Sequence, residues 1–320
     1  MITVLGAGAF GAGIAIALAA KGPVALRPRT AAQAEALAHA RKNIARLPGA
    51  PFPDALEIHA PDSTFPEGPI LLTVPMQQLR PVLDTHGAAL ARRTLVACCK
   101  GVELSTLRGP ASVITQVLPE ATAAILSGPG FAADIAAGLP TAMTLACTDA
   151  QIGRALCEAL STPSLRLYGS TDTAGVELGG ALKNVIAIAC GAVMGAGLGE
   201  SARAALMTRG YAEMQRMALA LGARPETLAG LSGFGDLALT CTSEQSRNLR
   251  YGISLGKGAA FDPSITVEGA ATARAVAKRA EDLALDMPIS LATAALVTGQ
   301  LRVGEAMDML LSRPLKEDEC

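Results

Sequence analysis

Two lysines stand where a charge needs a reason. Lys183 interrupts the run Leu178-Gly179-Gly180-Ala181-Leu182-Lys183-Asn184-Val185-Ile186-Ala187-Ile188-Ala189, which has no polar face for it to join. An unpaired ammonium there would be costly to bury. Lys100 follows Val96-Ala97-Cys98-Cys99, and the carboxyl ends of strands in doubly wound sheets point into the ligand crevice. Asp236 is the one acid in Leu231-Ser232-Gly233-Phe234-Gly235-Asp236-Leu237 and a candidate partner for Lys183. Ser246 precedes Arg247 and Asn248 in the manner of a helix N-cap. A helix start with an arginine in its first turn suits a phosphate. The bland alternatives are snorkelling lysines and ordinary capping.

Gly6-Ala7-Gly8-Ala9-Phe10-Gly11 is a G-x-G-x-x-G that follows an apolar run and opens a helical pattern, the setting that turns a weak motif into a dinucleotide-binding turn. Gly6 permits the tight turn, Gly8 lets backbone approach a pyrophosphate, and Gly11 allows close helix–sheet packing. An acid at the end of the second strand would bond the ribose 2′-OH of NAD. Here the chain reads Leu26-Arg27-Pro28-Arg29-Thr30, and the next acid is Glu35. Guanidinium groups suit a 2′-phosphate. NADPH is therefore the expected cofactor, with Arg29 the first contact and Arg27 the reserve; solvated loop arginines are the alternative. A reductase so equipped needs a proton donor for the developing alkoxide, and lysine is the natural candidate.

Other chemistries lack residues. His39, His59 and His86 all fall in the first third, with no Ser-His-Asp or H-E-x-x-H pattern. The seven cysteines (98, 99, 147, 157, 190, 241 and 320) include no C-x-x-C, and none has a histidine at ligand spacing. Neither a metal site nor a disulfide framework is expected, and reduced thiols fit best.

These residues need a scaffold. Ile2–Leu5, Val24–Leu26, Ile70–Val74, Leu95–Cys98, Ala123–Leu126 and Ala142–Ala146 read as buried strands. Helical segments Gly11–Lys21, Ala31–Arg46 and Gln77–Ala91 alternate with them. The pattern predicts an α/β domain over residues 1–170 with a parallel, doubly wound sheet. From Ser170-Thr171-Asp172, a helix start, the rest reads as an all-helical domain, 171–320. Leu206, Gly210, Met214, Met217 and Leu221 form one stripe there, and Thr266–Leu285 and Ile289–Leu301 are further helices. The charged tail Lys316–Cys320 reads as frayed.

With 27 Lys plus Arg against 28 Asp plus Glu, there is no basic excess to bind nucleic acid or a membrane surface. Half the residues are hydrophobic and 17 % charged, which excludes disorder. The longest weakly polar stretch, Val185–Gly199, is about 15 residues, below the roughly 20 that span a bilayer. Met1 leads into an apolar strand without a basic segment, so a signal peptide is not expected and the cytoplasm is. An Ala-, Gly- and Met-rich helical domain is compatible with a homodimer.

GAGAFG, CCKGVE, SGPGFA, LGGALKNVIAIACG, TRGYAEM, GFGDLALTCTSEQSRNLRYG and VEGAAT occur in this order. Together they resemble the bacterial NAD(P)-dependent glycerol-3-phosphate dehydrogenases over nearly the whole chain. The resemblance implies a Rossmann-type domain followed by a helical one. It implies reversible hydride transfer between NAD(P)H, with NADP preferred and NAD the second cofactor, and the C2 carbonyl of dihydroxyacetone phosphate. The product would be sn-glycerol 3-phosphate, a phospholipid precursor. By the same resemblance Lys183 is general acid and base, Lys100 contacts substrate and cofactor, and Asp236 orients Lys183. Gly128, Gly130, Asn184, Ser246, Arg247 and Asn248 would hold substrate. Ala9, Phe10, Arg29, Ala132, Arg247, Val267 and Glu268 would join the glycine turn around the cofactor. Gly130 stands where the family usually has Ser or Thr, Phe10 where Trp or Tyr is common, and Arg27 where Trp is frequent. Two other readings stay open on the residues alone: a keto-acid reductase of the ketopantoate reductase kind, and a non-catalytic dinucleotide sensor.

Overall fold

A computed structural model describes residues 1–312; the tail Lys316–Cys320 lies outside the described residues. The chain forms two compact units, Met1–Lys100 with Arg108–Val176, and Gly101–Leu107 with the residues from Glu177 onward.

The first unit alternates strand and helix: β1 (Ile2–Leu5), α1 (Ala9–Ala19), β2 (Val24–Arg27), α2 (Ala31–Ala40), β3 (Lys42–Asn43), β4 (Leu47–Pro51), β5 (Leu56–Ile58), β6 (Ile70–Leu72), α3 (Met76–Leu90) and β7 (Thr94–Ala97). Then come α4 (Pro110–Val117), β8 (Thr122–Ser127), α5 (Ala132–Ala136), β9 (Thr141–Cys147), α6 (Ala150–Leu160) and β10 (Leu165–Ser170). The eight-stranded sheet has the order β10-β9-β8-β7-β6-β1-β2-β5. Successive residues of its central strands serve opposite faces. Val4, Leu71 and Val96 pack with Ile14 and Leu18 of α1. Leu5, Leu72 and Ala97 pack with Leu79 and Leu83 of α3 and with Val113 and Ile114 of α4. Each fully buried Leu, Ile or Val contributes about 1.5–3 kcal/mol, and because both faces are covered the strands read as continuous apolar runs.

The sheet expected above to be parallel departs from that at one pair. β9 runs antiparallel to β8, from Ala124↔Cys147 to Ser127↔Thr144. The five-residue α5 spans about 7.5 Å and cannot retrace a six-residue strand of about 20 Å. The helix expected over Ala31–Arg46 ends at Ala40, because Arg41 turns left-handed at φ 48° and donates its N–H to Leu37. The Arg41 guanidinium then binds the carbonyls of Leu56 (3.0 Å) and Pro53 (2.7 Å), and β3 and β4 form a separate antiparallel pair. β5 and β10, unseen in the sequence, are the two edges of the sheet. Edge strands interleave polar residues, as in Leu165-Arg166-Leu167, and lack a continuous apolar run.

The second unit holds no strand among the described residues. Its helices are α7 (Thr173–Gly195, from Glu177 onward), α8 (Gly199–Ala220), α9 (Pro225–Ala229), α10 (Asp236–Thr242), α11 (Arg247–Gly256), α12 (Glu268–Asp282), α13 (Pro288–Val297) and α14 (Val303–Leu311). A π-helical turn, Leu231–Gly235, leads into α10. Met214 and Met217 of α8 pack among Leu182, Val185, Ile186 and Ala189 of α7 as core. At 23 residues, α7 is longer than the apolar stretch read from the sequence, because it starts upstream where Asp172 Oδ1 caps the Gly175 N–H at 2.9 Å. By length and composition α7 could cross a membrane, but its apolar window is mostly buried inside the protein, as in a core helix.

Candidate active site

In the first unit the glycine turn sits between β1 and α1, next to the point where strand order reverses between β1 and β6. Ligands of open α/β sheets bind at such switch points. Gly6 has φ +114°. A Cβ at Gly11 would overlap the Gly6 carbonyl and approach Thr73 Oγ1 to 2.6 Å, whereas one at Gly8 would enter open space. No side chain caps α1, and the N–H groups of its first turn have no intrahelical acceptor. An open glycine ahead of uncapped donors fits a pyrophosphate, so the residues present fit a dinucleotide. Ala9 and Phe10, both half-buried, occupy that first turn.

Two residues that the sequence reading missed brace this turn. Thr73 Oγ1 donates to the Gly6 carbonyl at 2.7 Å, and Asn43 Nδ2 donates to the Ala7 carbonyl at 2.9 Å. Neither belongs to a motif, and no sequence signal marks them.

The two arginines after β2 part ways. Arg29 is exposed, directly before Thr30, whose Oγ1 caps α2 by accepting from Gln33 N at 3.2 Å. Arg27, the reserve phosphate contact, is 1 % exposed. Its Nη2 donates to Ser63 Oγ at 2.6 Å and to the Ser63 carbonyl, and its guanidinium lies 3.8 Å from the Phe65 ring centre. That corrects its assignment: Arg27 is sequestered by the segment from Ser63 to Phe65. Burial holds its pKa below the ordinary arginine value, opposed by the charge of Asp62.

Lys100 stands three residues beyond β7, half-buried, and donates to the Gly128 carbonyl at 3.1 Å. Gly128 has φ +148°, and a Cβ there would press on Met143 Cα at 2.9 Å. Gly130 and Ala132 follow, half-buried, ahead of and at the start of α5. Burial pushes the Cys98 thiol up to about 12, against the opposing charge of Lys100, so it is no nucleophile.

In the second unit Lys183 Nζ donates to Asp236 Oδ1 at 2.7 Å and to Thr240 Oγ1 at 2.5 Å. Lys183 is 6 % exposed and Asp236 1 %. The π-helical turn delivers Asp236 to the start of α10, and Thr240 lies one turn further on. Ser246 is the N-cap of α11, with its Oγ accepting from Leu249 N at 3.2 Å. Its Oγ accepts from the helix and keeps its O–H as a donor, and Arg247 is exposed in the first turn. Asn248 Nδ2 donates to Asn184 Oδ1 at 2.9 Å, and Asn248 Oδ1 accepts from Gly269 N at 3.0 Å. This joins α7, α11 and the start of α12, where Val267 is the N-cap and Glu268 the first residue. The structure therefore gathers Lys183, Asn184, Asp236, Asn248 and the start of α12. Lys100, Gly128, Gly130 and Ala132 belong to the other unit.

A dinucleotide-binding sheet joined to helices that bury a lysine–aspartate pair defines a nicotinamide-dependent oxidoreductase. Residues 1–153 match the family model of the NAD-dependent glycerol-3-phosphate dehydrogenase N-terminus, and residues 172–308 match that of its C-terminus. The chain belongs to the NAD-dependent glycerol-3-phosphate dehydrogenase family. It is 61 % identical to the glycerol-3-phosphate dehydrogenase [NAD(P)+] of Ruegeria sp. (strain TM1040), covering 99 % of each chain. Identity to the enzyme of that name from Cereibacter sphaeroides is 58 %, over 99 % of this chain and all of that one. The crystal structure of glycerol-3-phosphate dehydrogenase from Coxiella burnetii superposes with a TM-score of 0.91 at 35 % identity, covering 98 % of both chains.

Proposed function

We propose that this chain reversibly transfers hydride between NAD(P)H and C2 of dihydroxyacetone phosphate, forming sn-glycerol 3-phosphate for phospholipid synthesis. When bound, the nicotinamide supplies the hydride. As C2 becomes tetrahedral, negative charge builds on its oxygen, and the Lys183 ammonium neutralises and protonates it. In the oxidative direction neutral Lys183 takes the proton back. Asp236 and Thr240 hold Nζ and orient it. Arg247 and the start of α11 bind the phosphate, whose binding energy aligns the remote carbonyl. Lys100 and Gly128 flank the substrate; the glycine turn, Ala132, Val267 and Glu268 flank the cofactor, and Arg29 meets its 2′-phosphate.

One observation carries this reading. The Asn184–Asn248 hydrogen bond ties the residue after Lys183 to the residue after Arg247, so proton donor and anion site share one bridge. The comparisons support this reading and neither the keto-acid reductase nor the sensor alternative. The proposal includes a cytoplasmic location without membrane insertion or a nucleic-acid partner. A homodimer would be detected by sedimentation. The test is NADPH consumption with dihydroxyacetone phosphate, dihydroxyacetone and ketopantoate in parallel. The phosphate ester should be preferred about ten- to hundredfold or more over dihydroxyacetone, the scale of lost charge-assisted hydrogen bonds. Equal turnover of both would overturn the assignment.

A further inference from the structure

Helices α7 and α11 meet backbone to backbone. Gly191 and Gly195 of α7, and Gly252 and Gly256 of α11, are spaced by four residues, so each pair shares one helix face. A Cβ at Gly191 would overlap the Leu249 carbonyl oxygen, and one at Gly195 that of Ile253. Reciprocally, a Cβ at Gly252 would overlap the Ile188 carbonyl oxygen, and one at Gly256 that of Ala192. Small residues at matched positions are what lets helix backbones approach this closely.

The contacts have a register. Ile188 meets Gly252 and Ala192 meets Gly256, and both pairs are separated by the same 64 residues as the hydrogen-bonded Asn184 and Asn248. The side-chain bridge is thus the first rung of a ladder whose next two rungs are glycine contacts. The helices run in the same direction, which leaves the start of α11 beside the Lys183 turn of α7. A slip of one residue, or a Cβ in place of Gly252 or Gly256, would strain this register.

We propose that Gly191, Gly195, Gly252 and Gly256 are positioning residues for the substrate. Their contact sets the register and depth at which Arg247 stands relative to Lys183. This rests on the reading of Arg247 as the phosphate anchor and Lys183 as the proton donor. A methyl group on a rung must part the helices, and a misplacement of about 1 Å between reacting and binding groups can lower activity about a hundredfold.

The experiment compares Gly252→Ala and Gly256→Ala with wild type. Gly256 is the last residue of α11, with fewer turns beyond it to disrupt, while its Cβ would still meet the Ala192 carbonyl oxygen, so that variant keeps the test open if Gly252→Ala does not fold. KM for dihydroxyacetone phosphate should rise about tenfold or more, with kcat within about threefold and the NADPH dissociation constant from fluorescence titration unchanged. The KM for dihydroxyacetone, which lacks the phosphate, should stay put. Met217→Ala, a core truncation on α8, should lower Tm without raising KM, separating lost register from lost stability. A folded glycine variant with wild-type KM for the phosphate ester overturns the proposal. If wild type itself ignores the phosphate, the underlying functional reading falls instead.

Discussion

Lys183 and Asp236 are 53 residues apart in sequence and 2.7 Å apart in space, both buried in the helical unit. An ion pair so placed loses much of its attraction to desolvation and is weak evidence for stability. Its worth under the proposed function is chemical. Asp236 and Thr240 keep the ammonium hydrogen-bonded and oriented, as the proposed proton transfer requires. The pair also makes each partner hostage to the other, because removing one leaves a buried charge alone.

Lys183→Ala should lower kcat by about two orders of magnitude or more, the scale of a lost general acid, with NADPH binding intact. Asp236→Ala should lower kcat and also cost about 3–5 kcal/mol of stability, by stranding the ammonium. Steady-state rates and chemical denaturation measure both. Wild-type turnover in Lys183→Ala would remove it from the mechanism.

Arg29 and Arg27 should behave differently. Arg29→Ala should weaken NADPH binding about tenfold or more, as expected for a lost charge-assisted contact, and leave NADH unchanged. Arg27→Ala removes the bonds to Ser63 and the Phe65 stack, so it should lower Tm and affect both cofactors alike. Fluorescence titration with each cofactor decides; equal losses in Arg29→Ala would contradict its role.

Restoring a family-like serine at Gly130 should not help. A Cβ there would stand 3.1 Å from Ile135 Cδ1 and 3.2 Å from Thr141 Cγ2. Overpacking of this kind usually costs about 1–3 kcal/mol. Gly130→Ser should therefore lower Tm without lowering KM for dihydroxyacetone phosphate; a clear fall in KM would show that the missing hydroxyl matters here.

Glu213 supplies a pH test away from the chemistry. Its buried carboxylate accepts the N–H groups of Ile289 (2.6 Å) and Ser290 (2.9 Å) and the Ser290 hydroxyl (2.8 Å), capping α13 from α8. Burial raises its pKa despite these bonds and the charge of Arg216. A raised folded pKa means that the native state holds the proton more tightly than the unfolded chain. Its stabilising contribution is full below the unfolded value of about 4.3 and is lost as pH rises through the folded value. Relative to Glu213→Gln, wild type should lose stability over that interval in urea melts taken across pH. A wild type that gains on the glutamine variant as pH rises would refute the sign.

Much of the candidate site was legible because its signals are local. The glycine turn shows itself by spacing, Lys183 by a charge in an apolar run, Asp236 by being alone in its loop, and Ser246 by capping chemistry. Central strands show as apolar runs because both sheet faces are covered. The edge strands β5 and β10, the antiparallel β9 and the Lys42–Pro51 hairpin did not show. Their pairing depends on neighbours distant in sequence and on how far a five-residue helix can carry the chain.

The sequence by itself therefore determined the class of fold and the kind of cofactor, and it nominated the candidate residues for proton transfer and anion binding. Tertiary structure alone decided which residues are free to act. Arg27 and Arg29 have the same side chain two positions apart, yet a segment more than thirty residues downstream engages one and leaves the other exposed. Ser246 Oγ accepts from its own helix, and Asn248 reaches Asn184 beside a glycine contact that no motif announces. The physical reason is common to all three. Residue type and local period set what a side chain can do, but burial and backbone approach are properties of pairs that only folding brings together.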